Sequence, residues 1–440
     1  MASIVTDFLQ AEADLKKTHE RQVKAERTKH VGDPIELKGK VIRMIVRDEH
    51  AWTAESGGVA RRVDLQKTGN TIQIYRGHTA PVTCLAFYAI ENGTSRKKET
   101  LLITGSWDKT IKIWNTTTKA LVSSTPAHDD FLKSLAVLPA LGILASGSAD
   151  KTVRLWFALD ISALSLGDHA DVSPSTALPQ IGALSGHTRP VDSLGLDLHD
   201  DGSSHSSSPL LYSADSMGVI KAWSLDVNTR ADGTRLARGT VESEYRGHRT
   251  GVGELWISQQ HVWSGTLPMP CNSPQRYALM SVLRSVDGLY RHDSVSLPQH
   301  MKSPPTITHS TVVRCLLPLT FTPLSQPYLL TGTGDVITVW DVSSFGERNA
   351  EVEKVAEVDA HSHDVTALCP WVRSFPEAPE RKKEAWIVSA SLDGTIRRWK
   401  LSDILSGSYQ ALLRSRGEVK RAVTTLTEEE ERELAELLEE

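Results

Sequence analysis

Histidine, hydroxyl and carboxylate side chains recur in the same order along this 440-residue chain. In one repeat His78 is followed by Thr104 and then, four residues further on, by Asp108. A histidine beside a carboxylate and a hydroxyl can activate the hydroxyl as a nucleophile, as in serine hydrolases. The same trio occurs once in each of several repeats, whereas an active site is needed only once. We therefore interpret the trios as structural groups that satisfy one another when they are buried.

A tryptophan follows each of these hydroxyl residues at a fixed distance. Thr104 and Trp114 are ten residues apart, and the same step recurs in three further repeats. Between them lie a turn signal and an alternating segment such as Thr110–Trp114, which is the pattern of a half-buried β-strand. The fixed step predicts one rigid β-hairpin in each repeat.

Six histidines mark the length of the repeat: His78, His128, His187, His248, His309 and His361. They stand 50, 59, 61, 61 and 52 residues apart, and an apolar strand pattern follows each of them. A period of this size is typical of an array of identical supersecondary units that pack on their neighbours.

These landmarks resemble those of the WD-repeat family. Gly-His dipeptides begin at Gly77, Gly186 and Gly247, and a Trp-Asp dipeptide occurs at Trp340-Asp341. In that family each repeat forms one four-stranded blade of a β-propeller. The resemblance therefore implies an all-β fold, a seven-bladed WD-repeat β-propeller, to which the sequence adds short helical extensions at both termini.

The resemblance also implies how the buried groups pair within a blade. Three complete networks are expected: His78–Asp108–Thr104–Trp114, His128–Asp150–Ser146–Trp156 and His361–Asp393–Ser389–Trp399. In the fourth blade Met217 occupies the aspartate position, and Asp215 two residues earlier is the alternative carboxylate. We expect that network to be weaker without threatening the blade.

Seven blades are predicted within residues 34–401. Their ranges are 41–75, 82–126, 132–184, 191–245, 252–308, 313–358 and 365–401. The first blade has Val63 where tryptophan is expected, and the fifth loses the hairpin motif over 267–275, which leaves its register open. By the family resemblance, a strand at 34–39 should complete the seventh blade and close the ring, which removes two exposed sheet edges.

Charged extensions flank the predicted ring. Residues 1–33 are predicted to be a helical, partly basic extension, and 402–440 a C-terminal extension with an acidic helix at 428–439. Thr427 and Glu430 have the capping-box spacing of a helix start. We expect both tails to leave from the face that carries the loops between the first and second strands. They either pair with each other or dock a partner helix.

Composition limits the setting in which the chain works. Its net charge of −5 produces no field that favours nucleic acid, so a nucleic-acid partner is not expected. No apolar run has the length of a membrane span, and the N-terminus lacks the pattern of a signal peptide. Four cysteines without a CxxC spacing indicate neither a metal site nor a disulfide framework. We expect no cofactor, no membrane association, and a cytoplasmic or nuclear location.

The leading functional interpretation is a non-catalytic scaffold for protein–protein interactions, a monomeric ring within an intracellular multiprotein complex. One alternative is a substrate-recruiting adaptor of a ubiquitin ligase, although the residues before the ring are too few for an F-box and no Trp-Asp-x-Arg box follows a third strand. A propeller-based enzyme is the other alternative. No nucleophile elbow, phosphate-binding glycine loop or metal-ligand cluster supports it, so we expect no catalytic residues.

A tight turn supplies the first residue of a candidate interface. Trp107 directly precedes Asp108 in that turn, and exposed tryptophans are favoured interface anchors. The family resemblance implies peptide or domain recognition on this face; the alternative is that Trp107 lies flat over the neighbouring blade. Comparable turns and loops complete the candidate set, which comprises Trp107, Lys109, Phe131, Lys151, Arg189, Arg249 and Leu392.

Overall fold

The fold is described from a computed structural model. It describes residues 2–66, 71–91, 98–157, 177–197, 209–231, 234–246, 248, 250–258, 261–266, 277–283, 307–309, 311–344, 352–374 and 383–413. The predicted acidic helix at 428–439 and the candidate interface residue Arg249 lie outside these ranges.

Seven four-stranded antiparallel sheets make up the described part of the chain, which confirms the predicted fold class. Blade 1 contains β2 (Val41–Arg47), β3 (His50–Glu55), β4 (Val59–Asp64) and β5 (Thr71–Arg76). Blade 2 contains β6 (Val82–Glu91), β7 (Lys98–Ser106), β8 (Thr110–Asn115) and β9 (Leu121–Pro126). Blade 3 contains β10 (Leu132–Leu138), β11 (Ile143–Ser148), β12 (Val153–Phe157) and β13 (Gln180–Leu184). Blade 4 contains β14 (Val191–Asp197), β15 (Leu210–Asp215), β16 (Ile220–Thr229) and β17 (Arg235–Tyr245).

The other three blades follow the same order. Blade 5 contains β18 (Val252–Ser258), β19 (His261–Thr266), β20 (Tyr277–Leu283) and β21 (Ile307–His309); blade 6 contains β22 (Val313–Pro318), β23 (Tyr328–Thr333), β24 (Val336–Asp341) and β25 (Glu353–Val358). Blade 7 contains β26 (Val365–Ser374), β27 (Lys383–Ser391), β28 (Thr395–Lys400) and, from the other end of the chain, β1 (Ile35–Glu36).

The hairpins between the second and third strands of several blades contain the same type of tight turn. In blade 2 Asp108 accepts hydrogen bonds from the Thr110 backbone N–H at 3.0 Å and the Thr110 hydroxyl at 2.6 Å. Lys109 between them has φ +69°, in the left-handed region that disfavours side chains. The equivalent residues of blades 3, 4 and 7 are also left-handed: Lys151, Gly218 and Gly394. After the turn, the alternating apolar residues of β8 point into the blade: Ile111 and Ile113 are fully buried in its core.

The blades form a closed cycle. The innermost strand of each blade contacts the innermost strand of the next, and β26 of blade 7 contacts β2 of blade 1. The N-terminal strand β1 pairs with β28, with Ile35 opposite Ile396 and Glu36 opposite Thr395. This closing strand has two residues, shorter than the range 34–39 suggested by the sequence.

Both terminal segments pack against blades 6 and 7. The helix α1 spans Ala2–Thr28; a second helix α2 spans Leu401–Leu405, and residues 408–413 are also helical. A Cβ atom at Gly32 would lie 2.6 Å from the Trp399 ring, so the chain after α1 passes directly over this indole. Tyr409 meets the same indole edge-on, with ring centroids 5.1 Å apart. Trp399 therefore packs against both segments that flank the ring.

The position of α1 contradicts the expectation from the sequence. The loops that contain the histidines and the hairpins between second and third strands share one face of the ring, which we call the histidine face. Lys24 of α1 binds Asp335, in the hairpin of blade 6, at 2.6 Å. Lys24 and Arg27 both bind Asp359, just before the loop into blade 7. The N-terminal extension thus lies on the histidine face, and its expected position on the opposite face is wrong.

Candidate functional site

The histidine of blade 2 connects three other side chains. Nδ1 of His78 lies 2.8 Å from Asp108 Oδ2, and Nε2 lies 2.8 Å from Thr104 Oγ1. The Trp114 indole N–H donates to the same Thr104 oxygen at 3.0 Å. All three contacts are satisfied if Nδ1 carries the proton, since Nε2 then accepts from the hydroxyl and the hydroxyl oxygen accepts from the indole.

Two other blades have the same arrangement. In blade 3, Nδ1 and Nε2 of His128 lie 2.8 Å from Asp150 and 2.7 Å from Ser146, and Trp156 donates to Ser146 at 2.8 Å. In blade 7 the corresponding distances are 3.1 Å from His361 to Asp393, 2.8 Å to Ser389, and 2.8 Å from Trp399 to Ser389. The structure therefore brings together all twelve residues of the three sets.

Blade 4 reaches the same connectivity with a displaced carboxylate. Asp215 Oδ2 lies 3.0 Å from His187 Nδ1, and Ser213 Oγ lies 2.7 Å from both His187 Nε2 and the Trp223 indole nitrogen. The other Asp215 oxygen accepts the backbone N–H groups of Met217 and Val219. One carboxylate thus closes the turn and binds the imidazole, so the expected weakening of this network is not seen in its contacts.

The burial of these networks decides between structural and catalytic interpretations. The hydroxyl residues Thr104, Ser146 and Ser389 are each 0% exposed, so none of them can meet a substrate. Burial lowers the pKa of His361, and the hydrogen bond to Asp393 only partly offsets this. Burial also opposes ionisation of Asp393, but hydrogen bonds from His361 and Thr395 hold its pKa well below the ordinary range. The favoured pair is therefore a neutral imidazole beside a carboxylate.

Blade 1 replaces the network with an ion pair that sequence reasoning missed. Arg61 donates from Nε to Glu55 Oε1 at 2.6 Å and from Nη2 to Oε2 at 3.0 Å. Thr53 donates to the same carboxylate at 3.1 Å. Glu55 is 1% exposed and Arg61 7% exposed. A signal existed in the sequence, because Thr53 lies ten residues before Val63 and opposite charges stand at 55 and 61.

Blades 5 and 6 have only parts of the network. His248 contacts Ser264 at 2.5 Å, but its Nδ1 has no partner among the described residues. In blade 6 Trp340 donates to Thr331 at 3.1 Å, while His309 packs against the Trp340 ring, with centroids 5.2 Å apart. Burial lowers the pKa of both histidines to about 4. The hairpin of blade 6 is one residue shorter, and its aspartate, Asp335, binds Lys24 instead.

An ion pair crosses the centre of the ring. Arg43 on the innermost strand of blade 1 binds Glu254 on the innermost strand of blade 5 at 3.1 Å. The second Glu254 oxygen accepts the backbone N–H of Leu316, in blade 6, at 2.9 Å. The Arg43–Glu254 ion pair connects blades 1 and 5, which are not adjacent in the ring, and the Leu316 contact ties the same carboxylate to blade 6.

Two aromatic side chains stand out on the histidine face. Trp107 is 42% exposed and Phe131 is 44% exposed. Their rings stack with centroids 5.2 Å apart and planes 25° apart, so Trp107 covers part of the next blade while remaining accessible. The backbones are fixed, since Trp107 N–H donates to Pro81 O at 3.1 Å and Ala149 N–H donates to Phe131 O at 2.9 Å. We call these two residues the aromatic pair.

The other candidate interface residues have different positions. Lys109 is exposed and donates to the Asp129 carbonyl at 2.7 Å, beside the aromatic pair. Lys151 is exposed in the hairpin between β11 and β12 of blade 3, and Arg189 is exposed in the loop from blade 3 into blade 4. Leu392 is half-buried and belongs to blade 7, whereas the aromatic pair lies between blades 2 and 3. The candidate set is therefore not one continuous patch.

Within the described ranges, no group of three or more His, Cys, Asp or Glu side chains is placed to hold a metal ion. No helix in those ranges is long and apolar enough to cross a bilayer.

Comparison with known proteins gives matches to WD repeats and to WD repeat-containing proteins. The family model "WD domain, G-beta repeat" matches residues 69–115 and 119–156. A WD repeat-containing protein of Schizosaccharomyces pombe is 25% identical over 406 residues, which cover 90% of this chain and 88% of that protein.

Shorter matches occur to two other proteins. The COMPASS component SWD3 of Saccharomyces cerevisiae is 36% identical over 86 residues, 19% of this chain and 25% of that protein. The small ribosomal subunit protein RACK1y of rice is 32% identical over 80 residues, 18% of this chain and 22% of that protein. The matched repeats and the seven four-stranded blades agree: the chain contains WD repeats, and over most of its length it is similar to a WD repeat-containing protein.

Proposed function

We propose that this protein is a non-catalytic scaffold that binds a protein partner through the aromatic pair on its histidine face. WD-repeat proteins typically act as interaction scaffolds in complexes. The observation that carries the proposal is the combination of 42% and 44% exposure with a fixed backbone at Trp107 and Phe131. Aromatic side chains are enriched at protein interfaces, and tryptophan is among the residues that most often dominate the binding energy.

The exposed parts of the aromatic pair are large enough to matter for affinity. An aromatic side chain can bury ~200 Å², so the exposed fractions leave about 80–90 Å² on each ring. At ~25 cal/mol per Å², covering them contributes about 2 kcal/mol per ring. Little ordering entropy opposes this gain, because the stacked rings are already held in place.

The surroundings of the aromatic pair suggest the chemistry of the partner. Lys109, Lys151 and Arg189 are exposed on the same face. A partner segment with an apolar side chain for the aromatic pair and carboxylates for these cations fits the surface best. The buried hydroxyls of the blade networks supply no nucleophile, so the proposal assigns no catalytic step.

The proposed setting is a multiprotein complex in the cytoplasm or nucleus, in which the chain contributes one ring. Two similar proteins bear names that place them in assemblies, as a COMPASS component and as a small ribosomal subunit protein.

Affinity purification of the tagged full-length protein, with quantitative mass spectrometry, tests the proposal. The W107A/F131A double variant should recover at least one partner tenfold less than the unmodified protein. The V241A variant is the matched control, since Val241 is 45% exposed but lies on the outer strand of blade 4. The proposal is overturned if the double variant retains every partner, or if V241A loses the same partner to the same degree.

A further inference from the structure

A cleft separates α1 from the histidine face of blades 6 and 7. Its volume is about 550 Å³. One wall is the face of α1 that contains Lys17, Glu20 and Arg21, and the other contains Ser362 and His363. The cleft is therefore lined mainly by charged and polar side chains, and it lies apart from the aromatic pair of blades 2 and 3.

The acidic groups around the cleft already have basic partners. Lys24 binds Asp335, Lys24 and Arg27 bind Asp359, and Arg314 binds Asp364 at 2.7 Å. Within the described ranges, Lys17 and Arg21 line the cleft without an ion-pair partner.

Glu20 is the remaining acid of the cleft lining, and it is exposed. Two cations against one carboxylate leave an excess of positive charge. The pKa of His363 is consistent with this excess, since it is lowered by burial first and by Arg21 second.

The chain itself contains a segment of the opposite charge. Residues 428–440 include eight glutamates and one arginine, and four of the glutamates are consecutive, Glu428–Glu431. The described chain ends at Leu413, four residues after Tyr409, which packs on the same Trp399 indole over which Gly32 passes. The described C-terminal residues therefore lie on the side of the molecule where α1 ends.

We infer that the acidic segment 428–440 occupies this cleft and that its glutamates bind Lys17 and Arg21. The distances allow it. Arg21 is seven residues before Thr28, the last residue of α1, or ~10 Å along the helix at about 1.5 Å per residue. The fourteen residues 414–427 can span up to about 45 Å when extended. Because the segment is tethered, its effective concentration at the cleft is on the order of millimolar, which compensates for weak individual ion pairs.

Zero-length carbodiimide crosslinking of the full-length protein, followed by mass spectrometry, tests this inference. It joins a carboxylate to a lysine amine only when the two are in contact. Lys17 should crosslink to glutamates of 428–440, and the crosslinks should be lost in 0.5 M salt, because screening shortens the range of charge attraction to a few ångströms.

Lys29 is the matched control, because an acidic segment that does not bind the cleft should crosslink to Lys29 at least as often as to Lys17. It is exposed and lies only three residues before Gly32, so it is nearer than Lys17 to the Trp399 indole on which the described C-terminal residues pack. An R21Q variant should reduce the Lys17 crosslinks severalfold without lowering the thermal midpoint of the propeller.

The same experiment distinguishes other occupants. Mixing ¹⁵N-labelled and unlabelled protein separates crosslinks within one molecule from those between two copies. Mixed-isotope crosslinks at the statistical proportion expected for two copies, equal crosslinking of Lys17 and Lys29, or no product at Lys17 each overturn the inference. Retention of the partner of the aromatic pair is a separate readout, so failure here leaves the proposed function to its own test.

Discussion

Blades 1 and 3 solve the same problem with different chemistry. In blade 3 a neutral histidine, an aspartate, a serine and an indole satisfy one another at the top of the hairpin. In blade 1 a bidentate Arg61–Glu55 ion pair, with Thr53, occupies the matching part of the sheet. Both blades remain four-stranded. Different residue types therefore pair the buried polar groups of these two blades, and neither set of residues is required for a four-stranded blade.

The largest predicted effect follows from removing one side of the ion pair. The E55Q variant leaves the buried Arg61 charge without its carboxylate, which should lower the stability of blade 1 by about 3–5 kcal/mol. Native-state hydrogen exchange of β3 and β4 measures this change. The E55L/R61M double variant should recover most of the loss, since paired apolar residues tolerate burial. Exposed Glu36 is the control, and a loss in E36Q as large as in E55Q would contradict the prediction.

A comparison of hydroxyl deletions in blades 3 and 6 should give a smaller effect. The S146A variant leaves both His128 Nε2 and the Trp156 indole N–H unpaired, which should cost about 2–4 kcal/mol in the free energy of unfolding. In blade 6 the Thr331 hydroxyl accepts from Trp340, while His309 packs on the indole ring instead. The T331V variant, which keeps the side-chain volume, should therefore lose about 1–2 kcal/mol less. Hydrogen exchange of the second strand in each blade provides the measurement. Equal losses would show that the histidine contact adds nothing.

Acidification should distinguish the same blades. The folded-state pKa of His248 and His309 is about 4, below the ordinary value of 6.5, because of burial. The unfolded chain therefore binds protons first as the pH falls, and stability is lost between about pH 6.5 and 4. At pH 5 each histidine should contribute about 2 kcal/mol of this loss.

Blades 5 and 6 should open more than blade 3, where the hydrogen bond to Asp150 offsets part of the pKa shift of His128. Hydrogen exchange at pH 7 and pH 5, corrected for intrinsic rates, measures the difference. An H248Q/H309Q variant that keeps the full pH dependence would assign the effect to other groups.

The sequence was sufficient for the fold because its signals were local and repeated. The ten-residue step from Thr104 to Trp114 lies within one hairpin, so register and turn could be predicted together. The same reasoning found Asp215 as the alternative carboxylate in blade 4, since it lies only two residues from the expected position. Repetition supplied the blade number and the expectation of a closed ring.

The contacts that could not be predicted join distant parts of the chain. Lys24 binds Asp335 across 311 positions, and Arg43 binds Glu254 across 211. No spacing rule connects such residues, because their distance depends on how the blades are arranged around the ring. The basic character of the N-terminal extension was clear from its composition, but the face on which it lies depends on these contacts. The exposure of the aromatic pair likewise depends on the packing between two blades.

The two-residue strand β1 has a consequence for biosynthesis. Its partner β28 starts at Thr395, so about 360 residues must be made after Glu36 before the two strands can pair. At ~5–20 residues per second, the ribosome needs roughly 20–70 s for that stretch. During this time β1 has no native partner, and blade 7 cannot be completed until β28 has been made. The emerging protein therefore spends tens of seconds as an open arc with an unpaired strand edge. We expect a chaperone to bind this edge mainly during that period.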